Sequence, residues 1–168
     1  MNNTLRAVPF LLLLLTGVPE AQDAKPAPEK TVPGLELSVK AAEASDSRPT
    51  RLAALYVPEG TAASSFLPPG PFKASFDGYI SVDLGTDCTF SAAGNGSVQV
   101  LIAGAPVFEA RGDLSAAPEG KPKRLRKGRN KIQVLYESPA KGDAVLRLHW
   151  ASSDFQREPI PPAVLSRP

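Results

Sequence analysis

The residues best equipped for acid–base chemistry are Asp83, Asp87, Glu109, Asp113 and Glu137, all near the ends of alternating apolar segments. Two carboxylates at a suitable separation suffice to hydrolyse a glycosidic bond. Separation along the chain does not establish separation in space, however, and no second feature joins any two of them into a pair. His149 stands between Leu148 and Trp150, so by alternation it faces away from the side those residues occupy. A Ser-His-Asp arrangement needs that imidazole within reach of a hydroxyl and a carboxylate, and no Gly-x-Ser-x-Gly elbow nominates the serine. A surface histidine and a noncatalytic chain are expected. With 1 His and 1 Cys the sequence cannot assemble a four-ligand zinc site, a Cys-x-x-Cys pair, an internal disulfide or a haem attachment motif. No metal and no cofactor are implied. Cys88, on the parity of Phe90, reads as a small buried hydrophobe, with an intermolecular disulfide as the sharper alternative.

Binding chemistry has more material. Tyr56, Phe66, Phe72 and Tyr79 are candidate aromatic platforms, each equally suited to the core. Residues 121–131, KPKRLRKGRNK, carry seven cationic side chains and no acidic one, although the whole chain balances 19 Lys+Arg against 17 Asp+Glu. Lys123, Arg124, Arg126, Lys127 and Arg129 are therefore a candidate site for phosphate, sulfate or carboxylate. The plainer reading is a solvated hairpin entry with Leu125 as its inward anchor and Gly128 as its turn. No aromatic residue interleaves the run to stack bases, so a nucleic-acid partner is not expected. Arg111-Gly112-Asp113 spells an attachment tripeptide, but a turn uses Gly-Asp in any case. Asn95-Gly96-Ser97 fits a glycosylation acceptor, relevant only in a eukaryotic secretory pathway.

The elements that must position these groups follow from proline spacing and alternation. A basic start and an apolar run over 7–18, too short to cross a bilayer, predict a signal peptide over 1–21 and an exported protein, periplasmic or extracellular, with no transmembrane segment. Residues 22–33, polar and proline-bearing, read as a flexible linker, leaving 34–168 as one domain. Proline is absent from 72–105, 123–138 and 140–158, which marks the sheet interior, because proline cannot donate a ladder hydrogen bond. Inside those gaps the period is two. Phe76, Ile80, Val82 and Leu84 share parity with Cys88 and Phe90; Val98, Val100 and Ile102 form another inward set; Ile132, Val134 and Tyr136 another; Ala144, Leu146, Leu148 and Trp150 the last. Turns are predicted at 85–87, at Gly94-Asn95-Gly96 as a hairpin, and at Ala103-Gly104. A helical turn is allowed only at 41–44. The fold class is all-β, an antiparallel sandwich or barrel of about eight strands or more.

The order Phe76-Asp77-Gly78-Tyr79-Ile80, Cys88-Thr89-Phe90-Ser91, 98–104 (VQVLIAG), Leu125-Arg126-Lys127-Gly128, 146–150 (LRLHW) and Pro159-Ile160-Pro161 resembles the protective-antigen-fourteen (PA fourteen) family, over about residues 72–165. The runs 55–60 and 71–74 resemble the variety found beside bacterial c-type cytochrome modules. The resemblance implies a β-barrel that serves as a noncatalytic carbohydrate-binding or docking module. In the family's adhesins two adjacent aspartates hold a calcium ion that coordinates sugar hydroxyls. Here Asn95 and Gly96 stand at those positions and Ala103 replaces the aspartate of the following corner. A hard cation wants several charged oxygens, so calcium-dependent binding in the adhesin manner is not expected. The functional expectation is a secreted module for carbohydrate or another cell-envelope polymer, with Asn95, Tyr79, Tyr56 and Phe72 as candidate ligand-binding residues. The alternative is a docking domain for an envelope protein such as a cytochrome or hydrolase.

Overall fold

A computed structural model describes residues 31–168. The expected signal peptide, and all but the last residues of the expected linker, lie outside the described residues. Within them are twelve strands: β1 (Val32–Pro33), β2 (Leu35–Ala41), β3 (Ala44–Thr50), β4 (Ala54–Val57), β5 (Lys73–Val82), β6 (Thr86–Ile102), β7 (Ala105–Asp113), β8 (Lys123–Leu125), β9 (Gly128–Glu137), β10 (Ala144–Ser152), β11 (Glu158–Pro159) and β12 (Leu165–Arg167). All pairings are antiparallel. The fold class is all-β. The end of the expected linker already pairs, Val32 lying opposite Arg167.

One layer runs β3-β2-β5-β9-β6-β7; the other is built on the first half of β6, flanked by β8 and β10, with β4 and β11 along the far edge of β10. The two layers share β6, and their apolar faces close on one core. Phe76, Ile80, Phe90, Ile132, Val134 and Leu146 are essentially inaccessible in it. Truncating Phe76 to alanine would cost about 3–5 kcal/mol through lost burial and the cavity left behind. The inward sets expected on β5, β6, β9 and β10 are buried as alternation requires, except that Val82 at the end of β5 is half-buried. Proline respects the sheet: Pro49 lies in β3 and Pro106 in β7, the two edge strands of the larger layer.

Three sequence expectations are corrected. Gly94-Asn95-Gly96 is not a hairpin: β6 passes straight through it. Its first half pairs with β10 up to Gly94, and its second half pairs with β7 and β9 from Asn95 and Ser97 onward. The positive φ of Gly94 (118°) and Gly96 (99°) bends the strand from one layer into the other. A Cβ on Gly94 would stand 2.0 Å from the Val145 carbonyl oxygen. Leu84 is 75% exposed, because it belongs to the β5–β6 turn and not to the inner face. Residues 41–44 form the β2–β3 hairpin turn, Ala41 facing Ala44 with Ala42 at φ 50°, and not a helical turn. The Ala103-Gly104 corner does join β6 to β7, both residues at positive φ as a tight hairpin demands. β7 bulges beyond it, which lets both Val107 and Phe108 turn inward.

Candidate functional site

The outward residues of the six-stranded layer fall into straight rungs, because register is fixed wherever the opposite face is buried. One rung reads Ser47, Ser38, Ser75, Leu135, Gln99, Glu109 from β3 to β7. The next reads Ser45, Lys40, Lys73, Glu137, Ser97, Arg111. The layer curls so that residues on both edges, β3 and β7, line a single open cleft of about 660 Å³. That volume lies in the range of small-ligand sites.

The floor mixes apolar surface with hydrogen-bonding side chains. Ser38 and Ser47 hydroxyls lie 2.8 Å apart. Asp77, one rung further along and outside the cleft, accepts from Ser75 and, at 2.7 Å, from the Gln133 amide. Lys73 pairs with Glu137. The Lys73 ammonium, helped by Arg111, holds the Glu137 carboxyl below the usual carboxylate range. A glycosidase acid needs the opposite displacement, a carboxyl whose pKa is raised. Leu135, 37% exposed, is the apolar patch in the middle of the floor.

The expected ligand residues lie elsewhere. Tyr56, Phe72 and Asn95 converge on a corner where the β4–β5 and β9–β10 loops meet. The Tyr56 hydroxyl donates to Asp143 Oδ2 at 2.8 Å, and the Glu59 amide donates to Asp143 Oδ1 at 3.0 Å. Asn95 donates to the Asp143 carbonyl at 2.8 Å and accepts from the Val145 amide at 3.0 Å. Ser138 Oγ accepts from the Phe72 amide at 2.9 Å, while the Ser138 amide donates to the Phe72 carbonyl at 3.0 Å. The backbone amide and the tyrosine hydroxyl keep the Asp143 carboxyl below its ordinary pKa, and the carboxylate in turn raises that of Tyr56. Phe72 is 5% exposed and packs against the Tyr136 ring at 6.1 Å. The corner thus satisfies itself, two loops stapled through one carboxylate and one carboxamide. Tyr79 is not part of it. It sits further along the outward face of β5, with the Arg129 guanidinium 4.8 Å from its ring centroid.

The basic run folds as β8, a turn, and the start of β9. Asn130 ties that turn, accepting from the Arg126 amide at 2.9 Å and donating to the Arg126 and Gly128 carbonyls at 2.8 and 3.1 Å. Arg124 pairs with Asp87 at 3.3 Å, Arg126 and Lys127 are exposed, and Lys123 is half-buried. Leu125 is the buried anchor. β5 and β9 pair from Lys73 with Glu137 to Val82 with Gly128, so the basic turn stands about 30 Å from the cleft along the same ladder.

The remaining groups behave as buried or structural. Burial, assisted by Asp87 and Asp154, pushes the Cys88 thiol up to about 11. Burial also pushes the Tyr136 phenol up to about 12. His149 is held below its usual pKa by desolvation and by Arg157. Among the described residues no cluster of His, Cys, Asp or Glu is arranged to hold a metal ion, and no helix is long and apolar enough to cross a membrane. Glu109 and Glu137, singled out as carboxylates, do meet in one cleft; Asp87 lies with Arg124 at the other end of β6. The serines and Gln99 were missed by the sequence reading; the alternation of Val98, Val100 and Ile102 implies an outward Gln99, but nothing in it marks that face as hollow.

No family sequence model matches the chain, and no curated protein matches it by sequence. Solved structures do match in shape. An anti-sigma factor domain-containing protein from Clostridium clariflavum superposes with TM-score 0.68 at 16% identity, covering 80% of this chain and 47% of that one. The chain thus spans about half the length of that protein. A PA14 sugar-binding domain from an RTX adhesin matches with TM-score 0.67 at 14% identity, over 82% of this chain and 99% of that domain. The Epithelial Adhesin 9 A domain from Candida glabrata, in complex with Galb1-3GlcNAc, matches with TM-score 0.64 at 10% identity over 84% and 92%. At such identities the likeness is one of fold. The all-β architecture is that of PA14 domains and of carbohydrate-binding adhesin domains.

Proposed function

We propose that this chain is an exported, noncatalytic module that binds carbohydrate or a related cell-envelope polymer in the cleft across the six-stranded layer. The observation that carries the reading is the pair of parallel rungs: serine hydroxyls, a glutamine amide and charged groups aligned over six strands, with Leu135 between them for the apolar face of a sugar ring. Such an array matches the dense donor and acceptor pattern of a saccharide, which a flat or apolar face does not. Binding is not calcium-dependent in the adhesin manner, since Asn95 spends its side chain on Asp143 and Val145. The likeness to a sugar-binding adhesin domain supports the class of ligand and not its identity.

The test is a polysaccharide panel, read by affinity electrophoresis and calorimetry, on the purified protein and a Ser97→Ala/Gln99→Ala variant. Binding that withstands a chelator and falls at least about tenfold in the variant, with an unchanged melting temperature, is the expected outcome. Undiminished binding in the variant would move the site elsewhere. A second reading, docking on an envelope protein, is favoured by Phe66. That ring is 79% exposed on the proline-rich β4–β5 loop, whereas its neighbours Leu67 and Phe72 are buried. Co-purification of a partner that depends on Phe66 and not on Gln99 would select it.

A further inference from the structure

On the second rung of the cleft Lys40 and Lys73 stand directly opposite each other on neighbouring strands. Two like charges in that register repel and destabilise the sheet. Lys73 is compensated by Glu137. Lys40 is exposed, and among the described residues no carboxylate lies within ion-pair distance of it. Beyond Glu137 the same rung ends in Ser97 and Arg111, the last of which also lines the cleft. The rung therefore carries three cationic side chains against one carboxylate, while the first rung, a step away, is almost wholly neutral: three serines, Leu135 and Gln99, with Glu109 alone at the β7 edge.

We infer that the cleft selects an anionic oligosaccharide, its acid group seated at Lys40 beside Lys73 and its ring hydroxyls over the Ser38, Ser75 and Gln99 row. This rests on the carbohydrate-binding reading and names its ligand class. The arrangement fits an acid group carried on a sugar better than an anion alone. The ammonium of Lys40 supplies an unspent charge, and the adjacent neutral row supplies hydroxyl partners at the 6–7 Å offset that separates same-face residues along a strand. An arriving carboxylate or sulfate also relieves the repulsion between the two lysines. This centre is distinct from the basic turn at 126–129, which lies at the far end of β5 and β9.

The experiment titrates the purified protein at low and high salt with four glycan probes, oligogalacturonate, its fully methyl-esterified form, dextran sulfate and dextran, and with polyglutamate as a polyanion without sugar. The first pair isolates a carboxylate on an otherwise similar sugar, the second a sulfate. The expected result is roughly tenfold tighter binding of an acidic member than of its neutral counterpart, an advantage that shrinks with added salt. Lys40→Gln removes that advantage, bringing the acidic and neutral members of each pair to within about twofold of each other, while Lys40→Arg retains it. Equal affinity for acidic and neutral probes, or an advantage that survives Lys40→Gln, overturns the inference but leaves the carbohydrate reading standing. Polyglutamate bound as tightly as the acidic glycan also overturns it, because charge alone would then suffice. Failure to bind any of the four removes both. Lys40→Gln folds at least as stably as the parent if the like-charge pair is a cost; a lower melting temperature would mean that Lys40 serves the sheet and not a ligand.

Discussion

Two polar regions lie side by side at one end of the larger layer, and they differ in how much hydrogen-bonding capacity they leave unspent. In the loop corner, Tyr56, Asn95 and Asp143 turn their polar atoms on one another and on neighbouring backbone. In the cleft, Lys40, Ser97, Gln99 and Arg111 point outward over a curved floor. The difference teaches that residue type alone does not announce a binding site. Asn and Tyr are good ligand groups by chemistry, yet the Asn95 carboxamide and the Tyr56 hydroxyl are engaged with the Asp143–Val145 segment, where two loops meet as β6 changes layers. The serines, individually unremarkable, become a surface only when six strands bring them into rungs.

The sharpest way to break this contrast is at the layer crossing. Gly94→Val places a side chain against the Val145 carbonyl at a φ that L-residues avoid. It is expected to cost more than about 3 kcal/mol, enough to unfold much of the population, as followed by circular dichroism during urea titration. Next is Asn95→Ala, which strands the Val145 amide and the Asp143 carbonyl. A loss of about 2–3 kcal/mol in the same titration marks Asn95 as a staple, and a change within experimental error would return it to the list of ligand residues. The cleft should behave oppositely: Ser97→Ala and Gln99→Ala each shift stability by less than about 0.5 kcal/mol while weakening glycan binding.

Acid titration sharpens the comparison further. The Asp143 carboxyl has a folded-state pKa below its value in the unfolded chain. Its contribution is therefore present above the unfolded value of 3.8 and is lost as pH falls through the folded value. Asp143→Asn should flatten the acid limb of the stability profile. The smallest effect is expected at Cys88. With the thiol buried and its pKa near 11, a thiol reagent at neutral pH should label the native protein only as fast as it unfolds. Prompt labelling would revive the intermolecular disulfide.

Much of the architecture was legible before any coordinates, since the inward sets Val98-Val100-Ile102, Ile132-Val134-Tyr136 and Leu146-Leu148-Trp150 alternate cleanly and proline keeps to edges and loops. The misreadings are instructive for the same reason. Asn-Gly with flanking glycine is the chemistry of a hairpin, and the same positive φ angles serve equally well to bend a strand across two layers. Local sequence carries the angle but not its use. Phe72 was offered as a platform or as core, and only the stapling of Ser138 to its backbone placed it inside.

What the sequence by itself determined is the period-two alternation, and with it the all-β class, the buried face of each strand and the scarcity of metal-binding or nucleophilic chemistry. Those properties are set by side-chain order within single strands. The cleft was decided only by tertiary structure. Its rungs join residues from Ser38 to Glu137 that meet through strand register, and its hollow comes from the curl of the whole layer, which no single segment encodes.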